Sequence, residues 1–376
     1  MSLWVVVGGQ YGSEGKGKIA AFITQREQMD ICIRCGGPNS GHSFVSADGT
    51  TRLLRQLPTG YIRSRTRLLI PPGALIDPEV LKSELEVLSI DPRRVGVDRN
   101  AMVIEDVDRR NEQQLNLRER LSSTLCGVGS AVARRALRGE DVRLAKHAAS
   151  KYTWLREMLT DVSEEANNAL DSGRSVLVEG TQGFGLSLYH TAEYPKATSR
   201  DTTASGFLSE VGLSPRLANE VVVVFRTFPI RVAGEQAGLL KNEITWGQIR
   251  RESGYPHEIH ERTSVTKKIR RVGRFDWELA RRAVIINRPT RLAINGLDYL
   301  NFTNKGLSEA NLLSWEASHM VAQLETALST PVSFLGTGPS LTEVIMREAT
   351  ATEPFTAEGV KSRCHSVVSA LRSGNQ

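Results

Sequence analysis

"GGQYGSEGKGK", residues 8–18, follows the apolar run LWVVV at 3–7 and leads into a helix-like stretch near 14–27. A short apolar strand, a glycine-rich turn and then a helix make the opening unit of a parallel α/β sheet. Read backward from Lys18, GSEGKGK satisfies G-x-x-x-x-G-K through Gly12, Gly17 and Lys18. Backbone N–H groups at such a helix start cradle phosphates, and Lys16 and Lys18 add positive charge. The competing reading is a glycine-rich turn that holds nothing; two lysines among the glycines weigh against it. The loop departs from the ordinary phosphate loop at Ile19, where Ser or Thr would hold Mg2+. It also carries a serine, Ser13, in its middle.

Outward from this loop, strand-like runs recur at SVLVEG (175–180), EVVVVF (220–225), RLAIN (291–295) and PVSFL (331–335). Helix-like stretches fall near 78–89, 148–172, 276–287, 307–328 and 357–372. Short continuous apolar strands separated by helices predict an α/β fold, a mostly parallel central sheet flanked by helices on both faces. With no internal repeat and no low-complexity linker, residues 1–376 read as one domain. Glycine-rich junctions follow strands at 8–17, 36–41, 179–185 and 336–339. Ligands of open α/β sheets gather outside the carboxyl ends of the strands, so these four loops are expected to face one site. Segments 43–60 and 227–262 read as irregular excursions from the sheet.

The bulk numbers narrow the class. Of 376 residues, 40% are hydrophobic and 24% charged, as in ordinary globular chains. MSLWVVVGG has neither a basic leader nor a small-residue cleavage site, and no run of about eighteen apolar residues occurs, so a cytoplasmic protein without a membrane span is expected. Cys32 and Cys35 form C-x-x-C but alternate along an apparent strand, and with only Cys126 and Cys364 besides they read as plain buried thiols. HEIHE at 257–261 misses the zinc-protease spacing, because His257 and His260 are three apart instead of four. The net charge of +6 is spread along the chain, with one dense run, KKIRRVGR, at 267–274. Aromatics are 6% and are not interleaved with that run, so small polyanions fit better than nucleic acid.

Further motifs follow in order: CGGPNSGHS (35–43), STLCGVGSAVARRALR (123–138), VLVEGTQG (176–183), YPKATSRDTTASG (194–206), TKKIRRVG (266–273), NGLD (295–298) and GTGP (336–339). Together with the opening loop they resemble the adenylosuccinate synthetase family. Its corresponding patterns are GxQWGDEGKGK, GGxNAGHT, TTGRGIGP…ARRGLR, FEGAQG and YPxVTSSNTTAGG. An aspartate loop, a guanine-reading TKxD and a C-terminal nucleotide loop complete the family set.

The resemblance implies a ligase that phosphorylates O6 of a 6-oxopurine nucleotide from a nucleoside triphosphate, with Mg2+, and then displaces that phosphate with the amine of L-aspartate. It implies His42 as general acid, with Lys16, and Gly41 offering its carbonyl to Mg2+. The implied triphosphate set is Gly12, Glu14, Gly15, Lys16, Gly17, Lys18, Gly41, His42, Ser43, Asn295, Asp298, Gly336, Gly338 and Pro339. The implied monophosphate set is Ser13, Asn39, Thr124, Arg134, Gln182, Thr198 and Val232, with Arg134 reaching across a homodimer. Thr266, Lys268 and Arg270 match the loop that grips aspartate, since guanidinium forks suit a dicarboxylate. Lys268 replaces a family arginine, a non-conservative change for ribose contacts. Gly296 replaces the lysine beside Asp298, and Gly336 replaces a serine, which loosens guanine selection toward ATP or dATP as well as GTP.

Ser13 stands where the family has its catalytic, Mg2+-binding aspartate. A serine hydroxyl is a poor base near neutral pH and a weak metal ligand. Three readings follow: a binding protein without catalysis, an ordinary synthetase acting on IMP with its base displaced, or a changed substrate. A small hydroxyl beside N1 makes room for a 2-amino group and can accept its hydrogen bond, which suits dGMP. This serine resembles the phage-type and related archaeal 2-aminoadenylosuccinate synthetases, on the route to 2-aminoadenine nucleotides, which for a phage enzyme work in the host cytoplasm. The third reading is favoured, because most of the other chemical positions are retained.

Overall fold

LWVVV occupies the middle of a ten-stranded sheet in the computed structural model, which describes residues 2–46, 48–263 and 268–347. The helix expected at 357–372, Thr266 and Cys364 lie outside the described residues. The strands are β1 (Ser2–Gly8), β2 (Ile31–Arg34), β3 (Arg67–Ile70), β4 (Val95–Asp98), β5 (Leu159–Thr160), β6 (Ser175–Glu179), β7 (Glu220–Arg226), β8 (Arg291–Asn295), β9 (Val332–Gly336) and β10 (Val344–Met346). Their spatial order is β10-β9-β8-β7-β1-β6-β2-β3-β4-β5. All neighbours are parallel except β9 and β10.

Side chains of a strand point alternately to the two faces, and here both faces are covered. Leu3, Val5 and Val7 of β1 join one core with Val176, Val178, Val223 and Ile294, against helices Val162–Asp171, Ala204–Val211, Trp277–Asn287 and Trp315–Leu328. Trp4 and Val6 join the opposite core with Leu177, Val222 and Val224, against α1 (Lys16–Arg26) and helix Pro78–Val87. Cys32 and Cys35 are free and buried in opposite cores. Burial pushes the Cys32 thiol up to about 12, in keeping with an inert thiol.

The five strands expected from apolar runs appear with ends shifted by no more than a residue. The helix expected at 148–172 does not form as one piece. A 3₁₀ turn at Thr153–Met158 and the edge strand β5 come first, and Asp161 then caps helix Val162–Asp171 by accepting from the Glu164 N–H at 2.9 Å. Likewise Ser314 caps a helix at Trp315–Leu328, shorter than the stretch 307–328. The excursions are an antiparallel hairpin, His42–Val45 with Thr51–Leu54, and a three-stranded sheet of Ile230–Arg231, Arg271–Gly273 and Glu243–Ile244. Because the central strands are parallel, Gly8, Arg34, Glu179, Arg226, Asn295 and Gly336 end at one edge of the sheet and deliver their loops to it. Among the described residues no helix is long and apolar enough to cross a membrane.

Candidate active site

The opening loop is built to leave donors free. Gly12 (φ 86°), Ser13 (φ 59°) and Gly15 (φ 89°) take left-handed conformations, and Gly15 caps α1 without a side-chain hydrogen bond. The first-turn N–H groups of α1 therefore remain available to an anion. Gly17 is required by a close approach, since a Cβ there would lie 2.6 Å from Cβ of His42. Glu14 is 1% exposed, and its carboxylate accepts from the N–H groups of Gln10 (3.0 Å) and Gly12 (2.8 Å) and from Lys16 Nζ (2.6 Å). These three contacts brace the loop from within. Lys18 Nζ donates to the Gly338 carbonyl at 2.6 Å, tying α1 to the loop that follows β9, and burial pulls its pKa down to about 8.

His42 begins the hairpin that crosses above α1, and its imidazole is almost wholly buried. Nδ1 donates to Oε1 of Glu179, the last residue of β6, while Nε2 has no partner. Glu179 is fully buried and also accepts from Arg34 (3.0 Å) and from the Thr59 N–H (2.7 Å) and hydroxyl (2.9 Å). Burial alone would push this carboxyl up, but His42, Arg34 and Thr59 hold it below its usual range. Burial, aided by the Arg34 guanidinium, pulls His42 down to about 4. The free site thus presents a neutral imidazole whose tautomer is set by Glu179. Glu179 stood unremarked inside VLVEGTQG; a carboxylate closing an otherwise apolar strand was the available signal.

Two cavities open along the carboxyl edge. One of about 840 Å³ is lined by Glu14, Gly15, Gly17, Lys18, Ser43, Asn295, Asp298, Gly338 and Pro339, and also by Tyr255, His257, Tyr299 and Phe302. The other, about 430 Å³, is lined by Gly12, Asn39, Thr124, Gln182, Val232 and Lys268, together with Tyr11 and Arg118. Ser13, Lys16, Gly41, His42 and Arg270 line both. The expected triphosphate residues and the expected monophosphate residues therefore separate into adjoining chambers, except that Gly12 faces the second. Ser13, itself exposed, sits where the chambers meet. Gln182, like Ser13, is held at positive φ (64°), a strain typical of functional loops.

Among the described residues, three expected ones line neither cavity. Gly336 packs against side-chain ends: a Cβ there would lie 2.0 Å from Asn295 Oδ1 and 2.7 Å from Lys18 Nζ, so a serine would require those two side chains to shift. Thr198 lies behind the second cavity, its N–H donating to the carbonyl of lining residue Leu186 at 2.8 Å. Arg134 is held within its own chain by Asp108 (2.8 Å), Asp141 (2.7 Å) and Glu105 (3.2 Å). Sequence reasoning missed Arg226, whose buried guanidinium pairs with Glu261 at 2.5 Å and donates to the Ser13 carbonyl at 3.2 Å. It missed as well that HEIHE lines the larger cavity, since the spacing of its histidines speaks only to metal binding. Among the described residues no group of three His, Cys, Asp or Glu could hold a metal ion.

A profile described as Adenylosuccinate synthetase matches residues 5–152 and 140–305. The adenylosuccinate synthetase of Methanocaldococcus jannaschii is 41% identical over 348 residues, covering 91% of this chain and 95% of that protein. That of Thermococcus sibiricus is 41% identical over 353 residues, covering 92% and 98%. Among solved structures, the succinoaminodeoxyadenylate synthetase of cyanophage S-2L, bound to dGMP and dATP as an energy donor, has a TM-score of 0.78 at 28% identity, covering 96% of this chain and 99% of that one. The adenylosuccinate synthetase from Plasmodium falciparum has a TM-score of 0.79 at 22% identity, covering 93% and 100%, a likeness of fold.

Proposed function

The chain belongs to the adenylosuccinate synthetase family of C–N ligases, and on that premise we propose that it joins L-aspartate to C6 of dGMP. The observation that carries the acceptor is Ser13: an exposed hydroxyl between the two chambers, with the adjacent Glu14 carboxylate wholly engaged inside the loop. A larger carboxylate there would crowd an exocyclic 2-amino group; the smaller hydroxyl leaves room for it and can accept its hydrogen bond. The cyanophage relative, bound to dGMP, supports the same reading. The archaeal relatives at 41% identity are named adenylosuccinate synthetases and favour the second reading, in which IMP is the acceptor.

In this reading the larger chamber takes the triphosphate and the smaller one the monophosphate. The terminal phosphoryl group moves from the donor to O6 of the purine; the O6–P bond forms as the β–γ bridge breaks, and the N1 proton passes to water. The aspartate amine then attacks C6, and O6 leaves as phosphate, giving 2-amino-2'-deoxy-N6-succinyladenylate, nucleoside diphosphate and phosphate. Lys16 and the α1 N–H groups balance charge on the moving phosphoryl. A polyanion beside His42 Nε2 raises its proton affinity, so the imidazole is charged and able to donate once the donor is bound. Arg270, which lines both chambers, and Lys268 grip the aspartate carboxylates, with Thr266 as third member of that set. Around the junction the chain offers the neutral oxygens of Ser13 and Gly41, which fit a Mg2+ that arrives on the triphosphate and not one caged by protein carboxylates. When bound, that ion neutralises phosphate charge.

The test is phosphate release with Mg2+, a nucleoside triphosphate and aspartate, comparing dGMP with IMP. We expect release that requires both dGMP and aspartate, with IMP near background. Ser13→Asp is expected to reverse the preference toward IMP by about tenfold or more, the scale on which one polar contact discriminates substrates. Turnover of IMP alone by the unmodified protein establishes the second reading instead.

A further inference from the structure

Arg226 closes β7 and is buried, and its backbone is bound twice to the phosphate loop. Its N–H donates to Oε1 of Gln10, and its carbonyl accepts from Nε2 of the same side chain, both at 3.1 Å. From this fixed point the guanidinium holds two further segments at once. Nη1 donates to the Ser13 carbonyl at 3.2 Å and to Oε2 of Glu261 at 3.1 Å, while Nη2 donates to Oε1 of Glu261 at 2.5 Å. A planar guanidinium has donors enough for a two-point grip on a carboxylate and for a carbonyl besides.

Glu261 in turn carries the segment that was read as the aspartate grip. Its carbonyl accepts from the Arg270 N–H at 2.8 Å, and Arg270 Nε donates to the Arg262 carbonyl at 3.3 Å. The Thr263 N–H donates to the Lys268 carbonyl at 2.8 Å, so Glu261–Thr263 and Lys268–Arg270 run side by side. The Tyr299 hydroxyl adds a donor to Glu261 at 3.3 Å. Arg270 and Lys268 both line the smaller chamber, and Arg270 the larger one as well. A buried ion pair is by itself weak evidence for stability. This one does more than close a contact, because the same guanidinium also fixes the backbone of Ser13, where the chambers meet.

We propose that Arg226 is a positioning residue. By holding Glu261 and the Ser13 carbonyl together, it sets Arg270 and Lys268 over the junction of the chambers, so that aspartate depends on it more than either nucleotide does. This inference rests on the reading of Lys268 and Arg270 as the aspartate grip, but not on which purine is the acceptor.

Initial rates give KM for aspartate, for ATP or GTP, and for the acceptor, with dGMP and IMP run in parallel. The proteins compared are the unmodified chain, Arg226→Met, Arg226→Met combined with Glu261→Gln, and Arg270→Ala. In Arg226→Met the aspartate KM is expected to rise about tenfold or more, the scale of a lost hydrogen bond to a charged group. Both nucleotide KM values are expected to stay within about threefold. Arg226→Met also leaves the Glu261 carboxylate uncompensated, so its melting temperature should fall, and adding Glu261→Gln should restore it. The aspartate KM should remain high in that restored protein, because the link to Ser13 is still missing. A KM that recovers with the melting temperature makes the pair structural and overturns the proposal, as does a rise confined to the triphosphate KM. Arg270→Ala separates the two readings. A raised aspartate KM there, with none in Arg226→Met, overturns the proposal alone; no rise in either overturns the aspartate grip with it.

Discussion

Ser13 and His42 show how single residues are read through what surrounds them. Serine at φ 59° occupies a conformation that Asp and Asn tolerate better, so the position keeps its backbone shape while losing its carboxylate. His42 allows a test in solution. Unfolded, its imidazole titrates near 6.5; folded, burial and Arg34 hold it at about 4. Below pH 6.5 the unfolded chain takes up a proton that the folded chain refuses. The stability this represents is complete above pH 6.5 and is lost as the pH falls toward 4, about 3 kcal/mol in all. Glu179, whose carboxyl is held low, adds in the same direction at the acid end. Urea midpoints taken from pH 7.5 down to 5 should fall for the unmodified protein and fall less for His42→Gln. Equal slopes for the two proteins would falsify the assignment of this proton to His42.

At the scale of elements, the edge where parallel strands end is packed tightly enough to dictate residue type. Asn295, closing β8, donates to the Glu14 carbonyl at 2.8 Å, and Lys18 from α1 reaches the Gly338 carbonyl beside it. Gly336 ends β9 where an added Cβ would push on the side-chain ends of Asn295 and Lys18. Gly336→Ser should therefore cost about 1–3 kcal/mol of stability through displacement of Asn295 and Lys18. Thermal unfolding without ligand would show it; an unchanged midpoint would mean that the junction yields easily. The strands were legible beforehand because β-branched runs such as LWVVV and EVVVVF satisfy a period-free apolar pattern. The helix at Asp106–Gln114 is not legible from apolar periodicity because it is almost wholly polar.

For the whole molecule, the dimer stands as a proposal carried by Arg134. Within its own chain the guanidinium is held by three carboxylates and lies outside both cavities. We propose that in a homodimer it exchanges part of that set for a phosphate in the partner's smaller chamber. Arg134→Ala and Lys16→Ala proteins should each be nearly inactive, and mixing them should recover up to about a quarter of full activity, because hybrids carry one intact site. No recovery, with a lowered melting temperature for Arg134→Ala, would make Arg134 an internal brace. The sequence by itself determined the parallel α/β plan, the phosphate loop and the family, since these rest on local apolar periodicity, glycine placement and ordered motifs. Only the tertiary structure decided that Glu179 would orient His42 from 137 residues away, that Tyr255 would cover Asp298, and that Ser13 would stand between two chambers. Those contacts are set by strand order and by which loops share the carboxyl edge, and side chains distant along the chain meet there only once the sheet has assembled.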